Sequence, residues 1–374
     1  MIVGGSAAGL YTAGTVARGG RSVRVLEAKP VLEPPSRTLI VTHEFRQRAG
    51  ACANESIVNE IRRFELFTDG RSAQISLSKS DLIIERQRLI NGLAGEAQQA
   101  GVKFSFDTRF LGLSPNGDGF SLETERAGRR EELHAESVVA ADGASSRVAR
   151  AAGWPVLETV PLVQAIIRRP KDCPADTTRV WFVPDDTPYF YWLIPESTER
   201  AAFGIIGENG RDTARCLGRF LDKKGMEPLE WQGARIPVYR TWIPVRRRIG
   251  NGDVYAVGDA AGQVKVSTVG GVVTGFRGAH AVAQSLLGKG SIGELLGLRR
   301  ELATHWLLRR TMHRFQQKHY SRLVDLLNAA TRDTLRNITR DESTRLLWNV
   351  LRRQPELVLL GIRGLLLGRN KRGA

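Results

Sequence analysis

The stretch "MIVGGSAAGLYTAGTVARGGRSVRVLEAK", residues 1–29, decides the fold. Met1–Val3 is a short apolar run that reads as a strand. Gly4, Gly5, Ser6, Ala7, Ala8 and Gly9 read as a tight turn, and Leu10 to roughly Arg18 as a helix small enough to pack closely on a sheet. Gly19–Gly20 ends that helix, and "SVRVLE" reads as a second strand. Such a unit binds a dinucleotide, because the first N–H groups of a helix have no partner within it and attract a pyrophosphate. Glu27, with Ala28 beside it, closes the second strand near the spacing of about 20 residues at which a carboxylate meets both hydroxyls of an adenosine ribose. Ser6 stands where the fingerprint usually has its second glycine, and serine is small enough to let backbone approach phosphate. Strand, helix and acid together separate this unit from a glycine-rich turn in an unrelated α/β protein. The first strand is short, as expected if a few residues stand upstream.

Composition bounds the rest. The 374 residues are enough for two or three domains, and 42% hydrophobic with 25% charged residues is ordinary for a globular chain. Three isolated cysteines, Cys52, Cys173 and Cys216, form no CxxC pair or ligand cluster, which argues against a zinc site or disulfide framework and for a reducing, cytoplasmic setting. The opening "MIVGGSAAGL", with no basic segment before an apolar core, is expected to be no signal peptide. The net charge is +16, and more than half of the excess falls after Ser291. That points to an acidic partner or to a solvated basic surface. No motif with interleaved aromatics supports nucleic acid as the partner.

Three further stretches recur in order. "LIIERQRLINGLAGEAQQAGV", residues 82–102, reads as a strand ending at Glu85–Arg86 and then an amphipathic helix. "SVVAADGASSRVAR", residues 137–150, reads as a strand, Asp142–Gly143, and a helix capped by Ser145 or Ser146. "VGDAAGQVKVSTVGGV", residues 257–272, places Gly258–Asp259 after an apolar run and Gly270–Gly271 before an amphipathic stretch. With the opening unit, these resemble the flavoprotein superfamily of para-hydroxybenzoate hydroxylase, and within it the geranylgeranyl reductases, including the archaeal digeranylgeranylglycerophospholipid reductases. "GDAAGQVK" matches that family's run as it stands, with Val266 at its proline position and Val269 at the first of its three glycines.

The resemblance implies FAD as cofactor and spans nearly the whole chain. It implies that Asp259 accepts hydrogen bonds from the ribityl or pyrophosphate side. It implies that Gly270, Gly271 and Val272 bring backbone N–H groups to the flavin pyrimidine edge, where negative charge develops on reduction. Arg86 would bond the phosphate or ribityl region, Leu111 would present backbone to the adenine, and Asp142–Gly143 would support the pyrophosphate region. Thr38 stands where many relatives carry a cysteine near the flavin. With no second glycine fingerprint, the electron donor is expected to be NAD(P)H acting transiently or a protein such as ferredoxin.

Residues 155–245 are rich in alternating strands. "FYWLIP" resembles the reductases' Tyr-x-Trp-x-Phe-Pro motif and equally the halogenases' Trp-x-Trp-x-Ile-Pro. Phe190, Trp192 and Ile194 share one strand face, as plain core or as the wall of a prenyl-chain pocket. His43 and Lys265 are candidate acids without a decisive pattern. The fold expected is α/β. A discontinuous Rossmann-like FAD-binding domain takes 1–50, 80–152 and 245–290, an inserted, mostly antiparallel substrate domain takes 51–79 and 153–244, and a C-terminal helical region takes 291–374.

From Ser291 the pattern is helical throughout. The apolar run Leu357–Gly368 is shorter than the ~20 residues of a membrane span. With Arg369, Lys371 and Arg372 it reads either as a closing helix or as a peripheral contact with the inner membrane face. The function expected is reduction of C=C bonds in a prenyl chain on a lipid or polyprenyl diphosphate. The alternative is a flavin-dependent monooxygenase or halogenase on another apolar substrate.

Overall fold

The computed structural model describes residues 1–35 and 37–366. A six-stranded sheet runs in the order Arg246–Ile249, Gly252–Ala256, Ser137–Ala140, Ile2–Val3, Arg24–Leu26, Lys103–Ser105. All its pairs are parallel except the edge hairpin Arg246–Ile249 with Gly252–Ala256. Parallel strands are buried on both faces. Helices Ala7–Arg18, Arg86–Gln99 and Val272–Leu286 cover one face through a core including Ala13, Val16, Ala97, Ala279 and Val282. A three-stranded antiparallel sheet, Thr108–Asn116, Gly119–Arg126 and Arg129–Ala135, covers the other through Phe110, Phe120 and Leu122.

The first helix starts at Ala7, not Leu10. Ser6 caps it, its hydroxyl accepting from the Gly9 amide at 3.2 Å, so Ala7, Ala8 and Gly9 form a helical turn rather than a loop. The helix Arg147–Ala151 is capped by Ser146, not Ser145.

The second sheet has eight strands in the order Pro228–Pro237, Thr159–Arg168, Arg200–Ile206, Tyr191–Pro195, Thr177–Trp181, Ile57–Thr68, Arg71–Glu85, Thr38–Val41. Its one parallel pair joins Thr177–Trp181 to Ile57–Thr68; the rest is antiparallel. Alternation gives this sheet two apolar faces. Phe67, Trp181, Tyr191 and Phe203 pack under the helix Thr213–Lys224 with Leu217 and Leu221. Phe64, Leu66, Val180 and Phe190 face the C-terminal helices.

Those helices are Ile292–Met312, Gln317–Asp325, Ala329–Asn337, Ser343–Arg353 and Pro355–Leu366, so the continuous periodicity breaks into short helices that wrap the sheet. The last one docks through Leu360, and Gly364 lies so close to Phe315 that a Cβ there would sit 2.5 Å from the ring. Arg369, Lys371 and Arg372 lie outside the described residues. Among the described residues no helix is long and apolar enough to cross a membrane, and no His/Cys/Asp/Glu group is arranged to hold a metal ion.

Candidate cofactor and substrate site

Four stretches far apart in the chain end at one edge of the six-stranded sheet. Gly4 follows Ile2–Val3, Glu27 follows Arg24–Leu26, Asp142 follows Ser137–Ala140, and Gly258–Asp259 follows Gly252–Ala256. The chain leaves Ile2–Val3 toward one side of the sheet and later strands fill the other. The crevice beside Gly4 is therefore the switch point where open α/β sheets bind ligands.

Close approach dictates the glycines here. Gly4 has φ +104, and a Cβ on it would lie 2.5 Å from the Ala141 carbonyl oxygen. A Cβ on Gly9 would lie 2.5 Å from the Gly4 carbonyl oxygen, so helix and strand touch at backbone distance. A Cβ on Gly258 would lie 2.9 Å from Ala8 Cβ, which seats the late Gly-Asp stretch on the first helix. The two ends of the sequence reading meet at this point.

The predicted polar residues are distributed around the crevice. Glu27 accepts from the Gly5 amide at 2.9 Å and the Lys29 amide at 3.0 Å, with Ala28 exposed beside it. Asp142 accepts from the amides of Arg147 at 2.7 Å and Val148 at 3.3 Å and from the Ser146 hydroxyl, so it braces a helix start. Leu111 sits at a bulge between Phe110 and Gly112, which leaves its backbone outside the ladder.

Asp259 faces an open recess yet is ringed by protein. That crowding raises its pKa, and the guanidiniums of Arg37 and Arg86 pull it back. Arg86 opens its helix as predicted, and its amide donates to the Arg37 carbonyl at 3.2 Å. Arg37 is a residue that sequence reasoning missed. Burial, with Arg86 nearby, lowers its pKa to about 10, and its buried Nε has no partner among the described residues. Two cations facing one carboxylate, with a donor left over, suit an anion such as a pyrophosphate. An Arg37→Met variant is expected to bind FAD about 10–100-fold more weakly, the loss of one charge-assisted contact. Its cofactor-free form should lose little stability, because removing a buried charge with an unpaired Nε offsets the lost attraction to Asp259. Fluorescence titration and thermal melts of the apoprotein check both.

Helix Val272–Leu286 begins at Gly271 with no side-chain cap, so its positive end is bare. A Cβ on Gly271 would meet Val264 at 3.1 Å and Asp259 Oδ1 at 3.4 Å. The preceding loop is held by Lys265, whose amide donates to the Gly270 carbonyl at 3.0 Å. The Lys265 ammonium is buried and pairs with Asp341, which also accepts from Thr42. Beside them Arg340 pairs with Asp81 at 2.5 Å. Lys265 is therefore locked in a structural pair rather than free as an acid.

A cavity of about 870 Å³ starts at Arg37, Thr38, Gly270 and Gly271. It continues between the sheet residues Phe64, Leu66, Ile75 and Val180 and the helical residues Leu308, Met312, Leu335 and Leu346. Phe190, Trp192 and Ile194 all line it, and Trp192 is seated where Gly204 leaves room for its indole. Lys79, Arg336, Arg340 and Arg345 also border the cavity. His43 borders it too, with a pKa lowered by burial and by Lys79. The Thr38 hydroxyl donates to Glu196 at 2.5 Å, and burial raises the Glu196 carboxyl despite that bond. Cys52 lies elsewhere, bonded to Glu96 at 2.8 Å, and burial pushes its thiol up to about 12, so it is no thiolate.

Comparison with known proteins bears on the family and the fold. Residues 1–289 match the family model described as an FAD binding domain. A digeranylgeranylglycerophospholipid reductase of Methanothermobacter thermautotrophicus is 26% identical over 323 residues, covering 78% of each chain. One from Methanopyrus kandleri is 27% identical over 293 residues, covering 73% of each. Among solved structures, a geranylgeranyl bacteriochlorophyll reductase-like protein from Thermoplasma acidophilum superposes with TM-score 0.81 over 97% of this chain and 98% of its own, at 18% identity. A flavin-dependent halogenase superposes with TM-score 0.67, covering 93% of this chain and 68% of its own at 15% identity. At those identities the two structures speak for the fold alone.

Proposed function

Since the chain belongs to the FAD-binding-domain family, we propose that it is an FAD-dependent reductase of C=C bonds in a prenyl chain carried on a lipid or a polyprenyl diphosphate. The observation that carries this reading is the apolar cavity that starts at Thr38 and Gly270–Gly271 and runs beneath the C-terminal helices. The residues present fit FAD. The glycine cradle at Gly4 and Gly9 would take the pyrophosphate at a helix start, Glu27 would meet the ribose, and Leu111 would offer unpaired backbone to the adenine. Arg37, Arg86 and Asp259 would hold the phosphate and ribityl side, with Arg37 Nε as the spare donor. The bare end of helix Val272–Leu286 would stabilise negative charge on the ring.

Reduced FAD, when bound, supplies the hydride. An isolated alkene is a poor acceptor, so the protein's part is to hold it close, keep water out and deliver a proton. Phe190, Trp192 and Ile194 with the helical roof provide an apolar wall of the right chemistry for a prenyl chain. Lys79, Arg336 and Arg345 at its border suit a phosphate on the chain's head. The relatives named as digeranylgeranylglycerophospholipid reductases point the same way. NAD(P)H or a ferredoxin-like protein supplies the electrons. Trp348 is exposed on the helix that carries Arg345 and Arg352, and Leu359 and Ile362 are exposed on the next helix, which suits the helical region to an anionic membrane surface.

One experiment addresses these points together. The holoenzyme, reduced with dithionite, is mixed with anionic vesicles containing an unsaturated diprenylglycerophospholipid, and the lipid is analysed by mass. The wild type is expected to sediment with the vesicles and to add hydrogens in pairs. Val180→Trp, which fills the cavity, is expected to keep FAD and sediment but lose at least 10-fold in product. Oxygen- or halogen-bearing products in aerobic controls, with no added hydrogen, would replace the reductase reading by the monooxygenase or halogenase one.

A further inference from the structure

We propose that Ser267, His305 and Glu301 form the proton relay of this reaction, an assignment that rests on the reductase reading above. Ser267 stands in the cavity wall, in the same loop as Gly270–Gly271. Its Oγ lies 2.5 Å from His305 Nδ1. The other ring nitrogen, Nε2, lies 3.0 Å from Glu301 Oε1 and 3.1 Å from the Arg340 carbonyl oxygen. Both of those partners accept, so Nε2 carries a hydrogen and Nδ1 is left to exchange a proton with Ser267. Glu301 is fixed by the Ser343 amide at 3.2 and 3.3 Å and sits one helical turn before His305.

His305 and Glu301 are 2% and 5% exposed, and neither touches the cavity. Ser267 is thus the point at which the buried pair meets the substrate space. Flanking cations bond to other groups, although Nε and Nη1 of Arg309 are buried with no hydrogen-bond partner among the described residues. Arg340 pairs with Asp81, Lys265 with Asp341, and Arg309 reaches the Pro188 carbonyl. A tether between the helix Ile292–Met312 and the loop would need the same bonds, but it would not need to end on a hydroxyl-bearing residue of the cavity wall.

The step balances as follows. The Ser267 hydroxyl proton passes to one alkene carbon, and the alkene π pair forms that C–H bond. The Nδ1 proton of the His305 imidazolium moves to Ser267 Oγ, leaving a neutral ring with Nε2–H still held by Glu301. The second C–H bond takes its electron pair as hydride from reduced flavin, which ends oxidised. A solvent hydronium ion entering as product leaves gives its proton through Ser267 to His305 Nδ1 and departs as water.

The test uses holoenzyme and the prenyl lipid above, with Ser267→Ala and Ser267→Cys. Ser267→Ala is expected to slow reoxidation of the reduced enzyme by lipid about 100-fold, the scale of a lost general acid, with KM and FAD affinity unchanged. Ser267→Cys should recover part of the rate. Independently of turnover, nitrogen-15 spectra of histidine-labelled apoprotein should show His305 protonated at Nε2, with its Nδ1 signal shifted by Ser267→Ala. Wild-type kcat in Ser267→Ala overturns the relay. So does a parallel fall in stability, FAD affinity and kcat, and so does an Nδ1 signal that ignores the substitution. A wild type that leaves the prenyl lipid unreduced ends the reductase reading itself, and the step with it.

Discussion

A Gly4→Val variant is expected to emerge from purification colourless and destabilised by several kcal/mol. The left-handed φ of +104 strains any β-branched residue there, and the added Cβ would stand 2.5, 2.7 and 2.9 Å from backbone atoms of Ala141 and Asp142. Backbone atoms cannot swing aside as a side chain can. Relief must separate Ile2–Val3 from Ser137–Ala140, breaking the Ala141 amide bond to the Val3 carbonyl at 2.8 Å in the centre of the sheet. Strain and overpacking each cost about 1–3 kcal/mol, and the crevice they distort is the one that takes the pyrophosphate. Gly95→Ala is the control. Gly95 lies inside helix Arg86–Gln99 with nothing near its Cβ position, and it should gain about 0.5–1 kcal/mol. Flavin absorbance and thermal melts read both variants. A yellow Gly4→Val protein with an unchanged melt would mean that the crevice is not the cofactor site.

The second large effect is expected from Asp341→Ala. It leaves the Lys265 ammonium buried without a partner, since the pair's side chains are 5% and 1% exposed. Breaking such a pair costs about 3–5 kcal/mol, whereas a Lys265→Met, Asp341→Leu double variant should be far closer to the wild type. The pH dependence follows from Asp341. Burial works to raise its carboxyl, but the charge and hydrogen bond of Lys265, with Thr42 and Arg340, hold it below the usual value. A depressed folded pKa gives stability that is full above the unfolded value of about 3.9 and is lost as pH falls through the folded one. The gap between wild type and Asp341→Ala should therefore narrow only below about pH 4. Asp81 is pushed upward by burial, so its contribution runs the opposite way, and it is smaller in Asp341→Ala because the Asp341 charge that helps to raise it is gone. Denaturation of the apoproteins across pH measures the gap. A gap that stays constant down to acid would show that Asp341 is not the residue that compensates Lys265.

Local reading reached the crevice because each part of it is local. Glycine at Gly4, a serine before a run of small residues and an acid ending the next strand are consecutive events on one βαβ unit. The first helix starts earlier than the glycine spacing suggests, because Ser6 acts as a cap and not as a substitute glycine. Arg37 gave no signal, since it sits in an aperiodic loop after two prolines, and only the fold sets it opposite Arg86 and Asp259. Glu301 and His305 were readable as a helical pair four residues apart, but their reach to Ser267 was not.

The sequence by itself determined the dinucleotide unit, the order of the motifs and the alternating aromatic strand, because hydrogen bonding and side-chain periodicity act between near neighbours. The tertiary structure alone decided that the C-terminal helices roof that strand face and leave a cavity beside Gly270–Gly271. It also decided that Lys265 is neutralised by Asp341 and that Arg37 keeps a spare donor. Those outcomes depend on burial and on charges brought together from distant parts of the chain, and neither is a property of any short stretch.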